Sequence, residues 1–125
     1  MDIQRYRDWM DGFMNSWKNL EGAKTVEWLS KDVKYYENPD GAPCASFEEV
    51  ASLWEIVPQN QRNISYNYEI ICVDDMYCVY NWKMTRTLIT NGKELHQKID
   101  GIFQVALDED NKCSYFKQWR STVTE

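Results

Sequence analysis

A chain of 125 residues has the length of one domain and can bury well over half of the surface its unfolded form exposes. Its composition, 43% hydrophobic and 14% aromatic with six Trp, excludes a disordered polymer and points to a bulky interior. The formal net charge of −6 argues against a nucleic-acid or anionic-membrane partner, since both need a basic face.

Tyr6, Trp9, Met10, Phe13, Met14 and Trp17 recur at three- and four-residue steps, which predicts one apolar helical stripe over about residues 2–19. Leu20-Glu21-Gly22 breaks that pattern. A second, shorter helix is expected over 23–29, ended by Ser30-Lys31-Asp32, and then a short strand, Val33-Lys34-Tyr35-Tyr36, stopped by the turn formers Asn38-Pro39-Asp40-Gly41. Ser46-Phe47-Glu48-Glu49 has the form of a capping box. It opens a third helix carrying Val50, Leu53, Trp54 and Val57, with Pro58 as its expected end.

Beyond Arg62 the apolar period changes to two. Ile64, Tyr66, Tyr68, Ile70 and Cys72 are expected on one face of a strand, and Met76, Cys78, Tyr80, Trp82 and Met84 on one face of the next, with Asp74-Asp75 between them. Asn91-Gly92 is a strong hairpin signal, and Leu95, Ile99, Phe103, Val105 and Leu107 alternate up to a turn over 108–111. A last strand is expected over about 112–123. Helices first and long alternating strands after them read as α+β, one domain over residues 1–125, with three N-terminal helices packed on a curved, mostly antiparallel sheet that forms a cone.

Cys44, Cys72, Cys78 and Cys113 lack CxxC spacing, and the charged opening MDIQRYRDW does not read as a signal peptide. They are expected as reduced, mostly buried thiols of a cytoplasmic protein. With His96 as the single histidine, neither a metal nor a cofactor is expected. No apolar run approaches the ~20 residues that cross a bilayer, so a soluble protein is expected.

The landmark segments carry a resemblance. Trp17-Lys18-Asn19-Leu20-Glu21, the run from Asp32 to Pro39, Trp54, Asp100-Gly101-Ile102-Phe103, the acidic turn from Asp108 to Lys112, and Gln118-Trp119 resemble the nuclear-transport-factor-2-like superfamily, in its SnoaL-like branch. The resemblance covers nearly the whole chain. It implies a conical fold with a pocket between sheet and helices, often dimeric through the other sheet face. It does not imply one activity, because the superfamily holds isomerases, polyketide cyclases, dehydratases, epoxide hydrolases and noncatalytic modules. Steroid isomerisation is disfavoured. It needs a carboxylate base and an oxyanion hole of a Tyr with a protonated Asp, whereas alignment through Pro39 puts Asn38 at the base position, Phe103 at the Asp position and Phe13 or Met14 at the Tyr position.

With Phe103 inward, alternation turns Gln97, Ile99, Val105 and Leu107 inward and sends His96 and Asp100 to the opposite face. Those two could form an acid/base dyad only if a β-bulge inverted the strand. On the last strand the same alignment implies that Phe116, Gln118 and Arg120 point inward, with Tyr115, Lys117 and Trp119 outward. Gln118 can orient a ligand but cannot move a proton. Arg86 is expected near the pocket mouth, where it could fix an anionic group or stay solvated. Glu37, beside Tyr35 and Tyr36, is the remaining catalytic candidate, because partial burial raises a carboxyl pKa. The expected ligand-binding set is Tyr36, Asn38, Trp54, Tyr80, Trp82, Arg86, Phe103, Phe116, Gln118 and Arg120; the catalytic candidates are Glu37, His96 and Asp100. The expected function is binding of a small apolar or aromatic molecule. A cofactor-independent isomerase, cyclase or hydratase, or a noncatalytic interaction module, stand as alternatives. Ile71, Val73, Tyr77, Val79 and Tyr115 on the outer sheet face suggest a homodimer.

Overall fold

The computed structural model describes residues 3–125. Helix α1 (Ile3–Lys18) carries the whole apolar stripe inward, with Tyr6, Trp9, Met10, Phe13, Met14 and Trp17 all buried; Asp2, at the edge of the expected helix, lies outside the described residues. A left-handed Leu20 (φ 60°) turns the chain into α2 (Gly22–Val26), which is shorter than expected. Gly22 is needed there: a Cβ would stand 2.1 Å from the Trp54 carbonyl oxygen, so only glycine lets this helix lie against the third. Strand β1 runs Leu29–Tyr36 and absorbs Ser30, Lys31 and Asp32, which were expected to end the helix.

Helix α3 (Phe47–Asn60) starts as its capping residues dictate. The Ser46 hydroxyl accepts from the Glu49 backbone N–H (3.2 Å), and the Glu49 carboxylate accepts from the N–H of Ala45 (3.0 Å) rather than that of Ser46. Pro58 does not close the helix but sits inside its last turn, so that Asn60 and the following Gln61 are held over the sheet. Four long strands follow: β2 (Gln61–Val73), β3 (Cys78–Thr90), β4 (Lys93–Leu107) and β5 (Cys113–Thr124). Asn91 (φ 51°) and Gly92 (φ 74°) both take the left-handed conformation that a tight two-residue hairpin needs.

The five strands form one sheet in the order β1-β5-β4-β3-β2, antiparallel except for the parallel pair β1 and β5. Here the expected cone is corrected. Strands β1 and β2 are free edges that do not meet, and the sheet is open, neither closed nor strongly curled. The aromatic residues that suggested a cone instead fill the layer between helices and sheet, as Trp9, Phe13, Tyr80, Trp82, Phe103 and Phe116 are almost completely buried.

One local register also departs from alternation. The β2–β3 ladder shifts between Ile70 and Cys72, a bulge that sets Cys72 against Val79 and Val73 against Cys78. Val73 therefore packs on the core instead of lying outside, and Cys72 is exposed instead of inward. The β3–β4 ladder is unbroken from Cys78↔Val105 to Thr90↔Lys93, so no bulge inverts His96 and Asp100, and both are exposed. Met76, expected on the inner face, is in the turn before β3 and 64% exposed. All four cysteines are free thiols: Cys78 and Cys113 are buried and Cys44 is half-buried. Among the described residues no helix is long and apolar enough to cross a membrane.

Candidate functional site

A pocket of about 210 Å³ opens where the C-terminal end of α1 and the face of α3 lie over the sheet. Its apolar wall comes from Trp17 of α1, Leu53, Trp54 and Val57 of α3, Tyr35 of β1, Leu88 of β3, Phe103 of β4 and Phe116 of β5. These rings hold one another rigidly. Tyr35 stacks on Phe116 (centroids 4.6 Å apart, planes 6° apart), Trp17 meets Trp54 edge to face at 5.1 Å, and Phe103 lies 4.7 Å from Phe116. The indole N–H groups are used within the wall: that of Trp17 donates to Gln61 Oε1 (2.8 Å), and that of Trp54 to the Tyr35 hydroxyl (3.2 Å).

The polar lining is Glu37, Asn60, Gln61, Arg86, Gln118 and Arg120. Glu37 stands just beyond the end of β1 and is half-buried. Burial raises its carboxyl pKa, opposed by the attraction of Arg120 and by hydrogen bonding from Tyr35 and Gln118, so that protonation is easier than for a free carboxylate. Arg86 is 9% exposed and paired in register with Gln97, whose Oε1 accepts from Nε at 3.0 Å. Its pKa is lowered to about 10 by burial and then by repulsion from Arg120, which leaves it charged at neutral pH. Asn60 Oδ1 is buried without a hydrogen-bond partner in the protein.

Of the residues expected to bind a ligand, Trp54, Arg86, Phe103, Phe116, Gln118 and Arg120 line this pocket, joined by the catalytic candidate Glu37. Four do not. Tyr80 and Trp82 are fully buried core: the Tyr80 hydroxyl donates to the Tyr6 carbonyl (2.8 Å), and the Trp82 ring lies against Phe103 (4.8 Å) and Trp17 (5.6 Å). Tyr36 faces the other side of the sheet, against Tyr115 and beneath the Lys117 ammonium, and Asn38 is exposed in the turn after β1. His96 and Asp100 are not brought together. The Asp100 carboxylate accepts from Asn81 Nδ2 (2.8 Å), while His96 Nδ1 is 3.4 Å from the Thr87 hydroxyl. Asp100 borders a depression of about 380 Å³, lined by strand residues such as Ser65, Lys83, Lys98 and Ser121, with Tyr66 as its single aromatic residue.

The expected set lacked Trp17, Tyr35, Leu53, Val57, Asn60, Gln61 and Leu88. Trp17, Leu53 and Val57 carried a signal, being the C-terminal members of two helical stripes. Asn60 and Gln61 carried none, since they become lining only because α3 continues through Pro58. No group of three or more His, Cys, Asp or Glu able to hold a metal exists among the described residues.

No family model matches the chain. No curated protein matches it in sequence. Solved structures match it in shape over nearly its full length. The epoxide hydrolase/cyclase-like enzyme SalBIII, of pyran ring formation in the polyether salinomycin, aligns over 99% of this chain and 98% of its own with a TM-score of 0.84 at 8% identity. The Δ5-3-ketosteroid isomerase from Mycobacterium sp. aligns over 95% and 98% with a TM-score of 0.75 at 11% identity. A ketosteroid isomerase-like protein from Erwinia carotovora atroseptica aligns over 90% of each chain with a TM-score of 0.70 at 8% identity. The chain shares the fold of these proteins. At such identities the likeness is one of fold, and chemistry must be argued from the pocket.

Proposed function

We propose that residues 1–125 act as one SnoaL-like domain that binds a small, mostly aromatic molecule in the pocket under α1 and α3. The observation that carries this reading is the meeting of an aromatic wall, Trp17, Tyr35, Trp54, Phe103 and Phe116, with the few polar groups Glu37, Arg86, Gln118 and Arg120. Apolar walls with sparse convergent polar groups are the usual make-up of ligand sites. The protein's acidic balance, 20 acidic against 14 basic side chains, speaks against nucleic acid as the ligand. Because Trp17 and Trp54 line the pocket, a bound naphthalene derivative is expected to quench Trp fluorescence saturably at 1:1 stoichiometry. A series of such compounds with no saturable quenching ends this reading.

A second reading has one observation in its favour, the raised carboxyl pKa of Glu37. Glu37 is the single carboxylate in the lining, and it would take or give the proton in an isomerase, cyclase or hydratase reaction that needs no cofactor. In that case Glu37→Gln abolishes turnover and leaves binding of the same compound nearly intact; equal loss of both removes Glu37 from the chemistry. Homodimerisation through the outer sheet face belongs to the same proposal. Its support is the exposure of Ile71 (54%), Trp119 (37%) and Val123 (59%). Light scattering at micromolar concentration is expected to give twice the chain mass, and a monomer refutes it.

A further inference from the structure

We propose that the pocket selects an anion, and that its ligand class is a planar aromatic molecule bearing one carboxylate, held between the Arg86 and Arg120 guanidinium groups. This deepens the small-molecule reading and rests on it. The charges of the lining do not balance: two guanidinium groups face one carboxylate, Glu37. Nor do they pair, for the ion pairs of the described residues, Lys24 with Glu21 and Lys98 with Glu125, lie elsewhere. The Arg86 side chain donates from Nε to Gln97 Oε1 and takes part in neither of those ion pairs.

Burial disfavours a charged guanidinium that has no ion-pair partner, and the lowered Arg86 pKa has that direction. A ligand carboxylate relieves it. The planar fork of an arginine matches the two oxygens of a carboxylate, and a charge-assisted pair of hydrogen bonds inside an apolar pocket is stronger than one in water. Arg120, at the exposed end of the same lining, adds attraction without full burial. The rest of the ligand must then be flat and apolar, because it lies among Tyr35, Trp54 and Phe116 in about 210 Å³. Glu37 shares the pocket with the bound anion, and its raised pKa makes it easier to protonate when the ligand enters.

The test compares naphthalene-2-carboxylate with naphthalene-2-carboxamide, which share a shape and differ in charge, by Trp fluorescence and calorimetric titration of the full chain. The carboxylate is expected to bind about tenfold or more tighter, the scale of one charge-assisted hydrogen bond. Arg86→Gln should erase that preference, and Arg120→Gln should reduce it, which keeps the test open if Arg86→Gln does not fold. Equal binding of both probes overturns this proposal and leaves the small-molecule reading standing. Binding of neither overturns both. A carboxylate preference that survives in folded Arg86→Gln and in Arg120→Gln places the anion elsewhere and also overturns it.

Discussion

Strand β3 shows two regions of the same face meeting different fates. Tyr80 lies under the N-terminal half of α1, where Tyr6 and Trp9 close over it, and Trp82 is packed between Trp17 and Phe103; both are fully buried. Arg86, four residues beyond Trp82 and on the same side, lies past the end of that helix, and there the layer opens into the pocket. Alternation decides which side a residue faces. Whether the place it faces is filled depends on where a helix ends, and in this molecule that is near Lys18 for α1 and Asn60 for α3.

The sharpest way to break this comparison is to open a hole in the filled region. Trp82 is 0% exposed, packed against Trp17 and Phe103, so Trp82→Ala is expected to cost about 3–5 kcal/mol in denaturant-induced unfolding. A cost below about 1 kcal/mol would mean that this half of the layer is as loose as the pocket. Next comes Gly101, opposite Trp82 in register. A Cβ there would meet the indole at 2.5 Å, so Gly101→Ala forces the ring to move, with an expected cost of about 1–3 kcal/mol. If the two effects add fully in the double variant Trp82→Ala/Gly101→Ala, the clash is not the cause; with the ring gone, the alanine should cost much less.

Much of this was legible in the sequence. The α1 stripe, the Ser46 cap and the Asn91-Gly92 hairpin each rest on local physics that tertiary structure did not override, and the inward register of Phe103, Phe116 and Gln118 followed from the alignment with the family. What was not legible depends on distant contacts. The openness of the sheet is a matter of whether β1 and β2 meet, which no local pattern encodes. The bulge after Ile70 shifts Val73 and Cys72 by one place in a run of apolar residues where either register buries something. Tyr80 and Trp82 looked like pocket residues because the pattern shows a face and not the depth of cover above it. Glu37 and Arg86 were visible as candidates, but their meeting in one pocket is a product of the β1–β5 and β3–β4 pairings together.

In the open region the expected effects move from stability to binding. Gln118, 5% exposed in the lining, should hydrogen-bond a ligand, so Gln118→Ala is expected to weaken binding of an aromatic probe by about 1–3 kcal/mol. Its effect on the unfolding midpoint should be far smaller than that of Trp82→Ala. Unchanged affinity in titration calorimetry would mean that the Gln118 amide does not reach the ligand.

The smallest expected effect is also the one whose sign most separates the two regions. A carboxyl whose folded pKa is raised binds its proton more tightly in the folded state than in the unfolded state. Stability therefore falls as pH rises from the ordinary carboxylate range through the raised value, and the penalty is complete above it. Glu37→Gln removes a group that is costly when ionised and keeps an acceptor for Tyr35. The variant should be slightly more stable than the wild type at neutral pH, and the difference should shrink towards zero as the pH drops below the ordinary carboxylate range. Paired denaturant melts across that range measure it directly. A variant less stable at neutral pH, or a difference that does not change with pH, would show that the Glu37 carboxylate is well solvated, and that the pocket end of the layer does not hold it under the desolvation argued here.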